Sequence, residues 1–154
     1  TPSLNAVPDT ARITIDRRLT AGETTEVAMK ELRTLPHLGD AKVELLLYRG
    51  TGWNGHTIER HDDHPAWVLA EDHPLVQGVA EAAEEVLGAR PKIGRWSFST
   101  NGVATMGRLG IPPVGLAPGL EELAHTTGEW VAVEDLIKAT AVYSLIPETL
   151  LSVL

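Results

Sequence analysis

The chain has 154 residues, 43% of them hydrophobic and 22% charged, which is enough to bury a core in one domain or two small lobes and excludes a disordered chain. Its formal net charge of -8, from 21 acidic against 13 basic residues, comes without any basic stripe, so the composition argues against a nucleic-acid partner. Zero cysteines remove disulfides, thiolate nucleophiles and Cys-type zinc sites, and no apolar run nears the roughly 20 residues of a membrane span. With no signal-like start either, a cytoplasmic setting without membrane contact is expected. The chain opens Thr1-Pro2-Ser3 without Met, so either its N-terminus was processed or it is part of a longer protein.

In chain order, residues 11–19 (ARITIDRRL) alternate Ile13, Ile15 and Leu19 with polar neighbours, the period of a half-buried strand. A helix follows, with Thr24 or Thr25 as N-cap, Val27, Ala28, Leu32 and Leu35 at helical spacing, and Pro36 and Gly39 as stops. Residues 41–48 (AKVELLLY) read as a second strand. Strand, helix, strand makes a partial ferredoxin-like lobe over residues 1–50. Residues 51–71, punctuated by Gly52 and Gly55 and carrying "HDDHP", read as a connection.

From Asp72 the pattern sharpens. A capping Asp72, Pro74 in the first turn, apolar Leu75, Val76, Val79, Ala83, Val86 and Leu87, and a terminal Gly88 define the most secure helix of the chain. A strand over 92–98, a short helix from Thr100 or Asn101 to Leu109, a strand over 113–117 and a helix over 132–146, kinked or ended by Pro147, complete the pass. The fold class expected is α/β, the lobe at 72–154 being built on a largely parallel sheet.

Three constellations could carry chemistry. His61, Asp62, Asp63 and His64, with His56 nearby, are the densest set of potential zinc or manganese donors, but they lie in the presumed connection, where a solvated polar loop explains them. His37 and His73 sit at element boundaries, where capping or exposure accounts for them. His125 differs, because it follows a strand that leaves its sheet by a Pro-Gly turn, and loops at such strand ends are where open α/β sheets place their sites. Glu129, Glu134 and Asp135 are near enough in sequence to fix its tautomer. On residue chemistry alone, a metal ligand and a histidine bonded to neighbouring backbone are equally open readings. Ser97, Ser99, Thr100 and Asn101 open a helix whose N-terminus could receive a carboxylate or simply be capped. No GxSxG elbow, P-loop or GxGxxG follows a strand, leaving serine hydrolases and nucleotide binders little support.

Taken together, "LNAVPDTARITIDRRL" (4–19), "GRWSFSTNGVATMGRLGIPPVGLAPG" (94–119) and "EELAHTTGEWVAVEDL" (121–136) resemble, in order and spacing, the C-terminal half of the two-zinc aminoacylase and carboxypeptidase-type metallopeptidases. That family includes acetylornithine deacetylase and succinyl-diaminopimelate desuccinylase, and the selenium-metabolism hydrolase branch is the most similar. The resemblance implies a zinc-peptidase α/β domain at 72–154 and a partial lid and dimerisation domain at 1–50, hence a homo-oligomer. It implies that His125 is a metal ligand, that Asn5 and Arg60 help hold substrate, and that Ser99 and Thr100 line the pocket. The substrate class implied is an N-acyl amino acid or small peptide.

The family's other ligands and its water-activating glutamate lie in His-x-Asp and Glu-Glu motifs that have no counterpart here. A two-metal hydrolase needs several ligands and a base, so no catalytic residue is assigned and the chain is expected to be inactive alone. The alternative, from a different class, is a non-catalytic dimerisation or interaction module that pairs through an open strand edge.

Overall fold

The computed structural model describes Asn5 and residues 7–153. Helix α1 spans Thr25–Arg33. Thr24 is its N-cap, its hydroxyl accepting from the Val27 amide at 3.3 Å, and the helix ends where the Thr34 hydroxyl donates to the Lys30 and Glu31 carbonyls at 3.1 and 2.9 Å. Arg17 ties the preceding segment to this helix through Glu23 at 2.8 Å and Glu31 at 3.0 Å.

Residues 11–19 were expected to form a strand, but none is formed there among the described residues. A strand exists only through ladder bonds to a neighbour, and no neighbour pairs with this alternating segment; Ile13 is 84% exposed and Ile15 56%. The strand expected over 41–48 also moves. It begins at Leu47 and runs to Thr51 as β1, paired antiparallel with β2 at Thr57–His61. The two form a hairpin in a stretch expected to be mostly connection. Its glycines hide the period of two in the sequence, yet Gly55 at φ 80° is what turns the chain, and the Gly52 amide donates to the His56 carbonyl at 2.8 Å. Facing pairs then hold the register: Arg49 meets Glu59 at 2.7 Å, and the Arg60 guanidinium lies 5.8 Å from the Tyr48 ring centroid.

Helix α2 (Pro74–Leu87) lies where the pattern places it, except that its N-cap is His73 and not Asp72. The His73 Nδ1 accepts from the Leu75 amide at 3.1 Å, doing what a carboxylate would have done. Gly88, at φ 72°, closes the helix by donating to the Glu84 carbonyl at 2.8 Å. Helix α3 runs from Val133 to Val153 and so does not end at Pro147, where the sequence predicts a kink or an end. The proline forfeits one amide donor, and the carbonyl that would have received it belongs to Tyr143, an exposed residue whose carbonyl water can satisfy.

Helices α2 and α3 pack together through Ala82, Ala83 and Val142, with Val86, Leu116, Leu145 and Ile146 around them. Alanines in α2 bring the two backbones close enough for Val142 to be 3% exposed. The parallel sheet expected in this region is not formed among the described residues, where the β1–β2 hairpin is the one sheet. Residues 92–98 and 113–117 form no strand, because parallel strands depend on neighbours to supply their bonds. Between them, the expected helix forms with a π-helical stretch at Val103–Arg108 and closes at Gly110, φ 67°. The chain is therefore a small α/β structure of helices with a two-stranded antiparallel sheet. Among the described residues no helix is long and apolar enough to cross a membrane.

Candidate functional site

His125 lies in the turn that follows a 3-10 segment at Glu121–Leu123. Its backbone is left-handed, φ 63°, a conformation that costs a residue with a Cβ about 1 kcal/mol and is retained only where surroundings enforce it. Glu129 reaches back to this turn: its Oε2 accepts the His125 amide at 3.0 Å. The turn is braced again by the Thr126 hydroxyl, which donates to the Leu123 carbonyl at 2.7 Å, and by the Glu129 amide donating to the Thr126 carbonyl at 3.3 Å. Among the described residues neither ring nitrogen of His125 is hydrogen-bonded, and the residue is exposed. Its imidazole meets the Phe98 ring edge-on, centroids 6.1 Å apart and planes at 81°.

The contact with Phe98 brings the second stretch to the histidine. Trp96 and Phe98 are stacked, 5.9 Å between centroids, and with Gly115, Leu116, Glu129 and Trp130 they line an open groove of about 590 Å³ beside the His125 turn. Gly115 is the small residue this wall requires, because a Cβ there would lie 2.4 Å from the Trp96 ring. Glu121 fastens the two loops, its Oε1 accepting the Ser97 amide at 2.7 Å and the Ser97 hydroxyl at 2.8 Å. The backbone bond first, and then the hydroxyl bond, hold the Glu121 carboxyl below the usual carboxylate range. From the other side, the Tyr143 hydroxyl of α3 donates to the Leu116 carbonyl, tying the groove floor to the helix pair.

Ser99 and Thr100 adjoin Phe98 and thus lie in the loop that reaches His125. Thr100 also works as a cap, its Oγ1 accepting the Gly102 amide at 3.1 Å and its carbonyl the Val103 amide at 3.1 Å. Arg60 is on β2, over the Tyr48 ring, and Asn5 is exposed in a turn. Glu129, expected as a partner for the imidazole, engages the backbone instead, and Glu134 pairs with Lys138 at 2.7 Å.

The acidic cluster at 61–64 is drawn into the fold. Asp63 binds Arg108 at 3.0 Å, and Asp62 lies 3.3 Å from His64. Pro65 sits against Gly107, and the Trp67 ring occupies the space a Cβ on Gly102 would need, 2.2 Å away. These contacts dock residues 63–67 onto the helical turn that starts at the Ser99–Thr100 loop. Glu121 and the aromatic wall were not singled out as functional from sequence. Glu121 opens the EELAHTTGEWVAVEDL stretch without a role assigned to it, and nothing local in the sequence pairs Trp96 with Gly115, 19 positions on.

Among the described residues no group of three or more His, Cys, Asp or Glu side chains converges as a complete metal site. The donor set at the turn is one imidazole with unengaged nitrogens, which fits one ligand of a shared centre and not a whole centre.

The protein YgeY of Escherichia coli K12, whose function is uncharacterised, is 40% identical over 148 residues, covering 95% of this chain and 37% of the relative; the YgeY protein of Escherichia coli O157:H7 matches to the same extent. The chain thus spans a little over a third of the length of these relatives. No solved structure matches it. The sequence profile of peptidase family M20/M25/M40 matches residues 9–149, a span that includes the groove, the Glu121 clasp and His125, and the chain belongs to that family.

Proposed function

We propose that this chain supplies the last metal ligand, His125, and an aromatic substrate wall to a zinc-dependent hydrolase of amide bonds in N-acyl amino acids or small peptides. The water-activating base and the remaining ligands come from polypeptide outside these 154 residues. The observation that carries the reading is a histidine fixed in a left-handed turn with both ring nitrogens unengaged, beside a groove walled by Trp96, Phe98 and Trp130. Zinc, held in part by His125, would supply Lewis-acid activation of the amide and of water. The chain's own groups bind and orient: His125 offers a ring nitrogen, the aromatic wall takes the apolar part of the substrate, and Ser99 and Thr100 offer hydroxyls at its edge. Asn5 and Arg60 are proposed substrate contacts that reach the site in the complete enzyme.

The experiment is hydrolysis of N-acetyl amino acids with added zinc, by the purified chain alone and together with a polypeptide carrying the His-x-Asp and Glu-Glu motifs. Turnover is expected only with both pieces and is abolished by His125→Ala. Turnover by the chain alone overturns the proposal.

A second reading, a non-catalytic module that pairs through its N-terminal segment into a homo-oligomer, is favoured by one observation. Val7, Ile13 and Ile15 lie outside any helix or strand and are 90%, 84% and 56% exposed, apolar side chains left open for a partner to cover. Light scattering of wild type and an Ile13→Lys variant tests it: a dimer lost in the variant supports pairing, and a wild-type monomer refutes it.

A further inference from the structure

The His125 turn contains a carboxylate that is turned onto the backbone. Glu129 lines the groove, yet its Oε2 is spent on the backbone amide of His125 at 3.0 Å. Left-handed backbone is uncommon outside glycine, and among the described residues only His37, φ 64°, and His125, φ 63°, adopt it without being glycine. A side chain on left-handed backbone leaves the chain in a direction that neither helical nor extended backbone would give it. Holding φ positive at residue 125 therefore fixes where the imidazole points. The edge-on contact with Phe98 fixes the ring plane as well.

We propose that Glu129 is the positioning residue for His125, its carboxylate holding the amide so that the imidazole faces the metal position. The inference rests on the reading of His125 as a ligand. A carboxylate serves better here than a neutral acceptor because a charge-assisted bond is stronger and the turn is exposed to competing water. Spacing contributes too. Four residues separate the groups, and the 126–129 turn, closed by the Glu129 amide on the Thr126 carbonyl at 3.3 Å, folds the carboxylate back onto the amide.

The test compares wild type, Glu129→Ala and Glu129→Gln by NMR on the full chain, with the His37 amide as internal reference. In wild type the His125 amide is protected from hydrogen exchange, and its strong intraresidue HN–Hα NOE marks positive φ. Glu129→Ala should lower that protection about tenfold, the effect of one lost charged hydrogen bond, and weaken the NOE, with the His37 NOE unchanged. Glu129→Gln, which keeps an oxygen acceptor, should restore most of both. Unchanged protection in the alanine variant, or a glutamine variant as exposed as the alanine one, overturns the assignment. Zinc titration followed at the His125 ring protons, with the polypeptide carrying the His-x-Asp and Glu-Glu motifs present to supply the other ligands, gives the separate readout. A wild-type ring shift on adding zinc, weakened in Glu129→Ala and recovered in Glu129→Gln, supports positioning for metal. A wild-type ring indifferent to zinc refutes the ligand reading, and with it the metal purpose of the clamp, while the amide data still decide whether Glu129 sets the backbone.

Discussion

Val142 offers the sharpest test of how the site is supported, because the α2–α3 seam it fills is also what Tyr143 uses to hold the groove floor. Val142 is 3% exposed and packs on Ala82 and Ala83. Truncation to alanine removes two buried methyl groups, worth about 1.6 kcal/mol at roughly 0.8 kcal/mol each. Facing alanines have no side chain with which to refill the space, so a cavity contribution of about 1 kcal/mol adds to this. Alanine's better helix propensity returns about 0.5 kcal/mol. The expected net loss is about 2 kcal/mol, or roughly 4–8 °C in Tm for a chain of this size. Urea unfolding followed by far-UV circular dichroism measures it, with Val133→Ala as control, since Val133 stands on the same helix at 71% exposure and should cost under about 0.5 kcal/mol. Tryptophan emission recorded in the same titration should shift together with the helix signal, because Leu116 joins the seam to the Trp96 wall. Equal losses from the two substitutions would refute the account of α2–α3 as the core that carries the site.

Gly115→Ala should displace the Trp96 ring, quenching or shifting tryptophan emission and cutting affinity for aromatic ligands, because the added Cβ would lie 2.4 Å from that ring; an unchanged spectrum would contradict the packing. Gly102→Ala should cost about 1–3 kcal/mol by overpacking against Trp67, read by urea unfolding, whereas Gly94→Ala, which meets open space, should cost far less. The Glu23 carboxyl, held by the Arg17 guanidinium and then by Thr20, has its pKa lowered from 4.5 to about 2. Its depressed folded value means that its contribution is complete above pH 4.5 and is lost as pH falls through about 2, and Arg17→Gln should return the carboxyl's NMR midpoint toward 4.5. Glu121 follows the same sign, so the clasp on Ser97 should persist at neutral pH and release in acid, with the Ser97 amide resonance reporting it and Glu121→Gln removing the pH dependence.

The sequence by itself determined what local chemistry can determine. Helix α2 is legible because its start, its stop and its apolar period lie within one stretch of chain, and α1 and most of α3 follow for the same reason. Membership of the peptidase family is equally legible, since motif order survives without coordinates, and it singled out His125 where residue chemistry left two readings open.

Only tertiary structure decided the pairings between distant residues. Sheet formation is one: residues 11–19 have the period of a strand and find no ladder, while Leu47–Thr51 and Thr57–His61 pair across glycines that hide any period. Position within a cap is another, since a histidine ring can accept an amide as well as a carboxylate can, and His73 does so in place of Asp72. The same holds at the site. That Glu129 grips the His125 backbone and not its ring, that Glu121 reaches Ser97 across 24 positions, and that Gly115 makes room for Trp96 depend on where loops meet in space. Periodicity records the face a residue turns inward; it carries no record of what that face will touch.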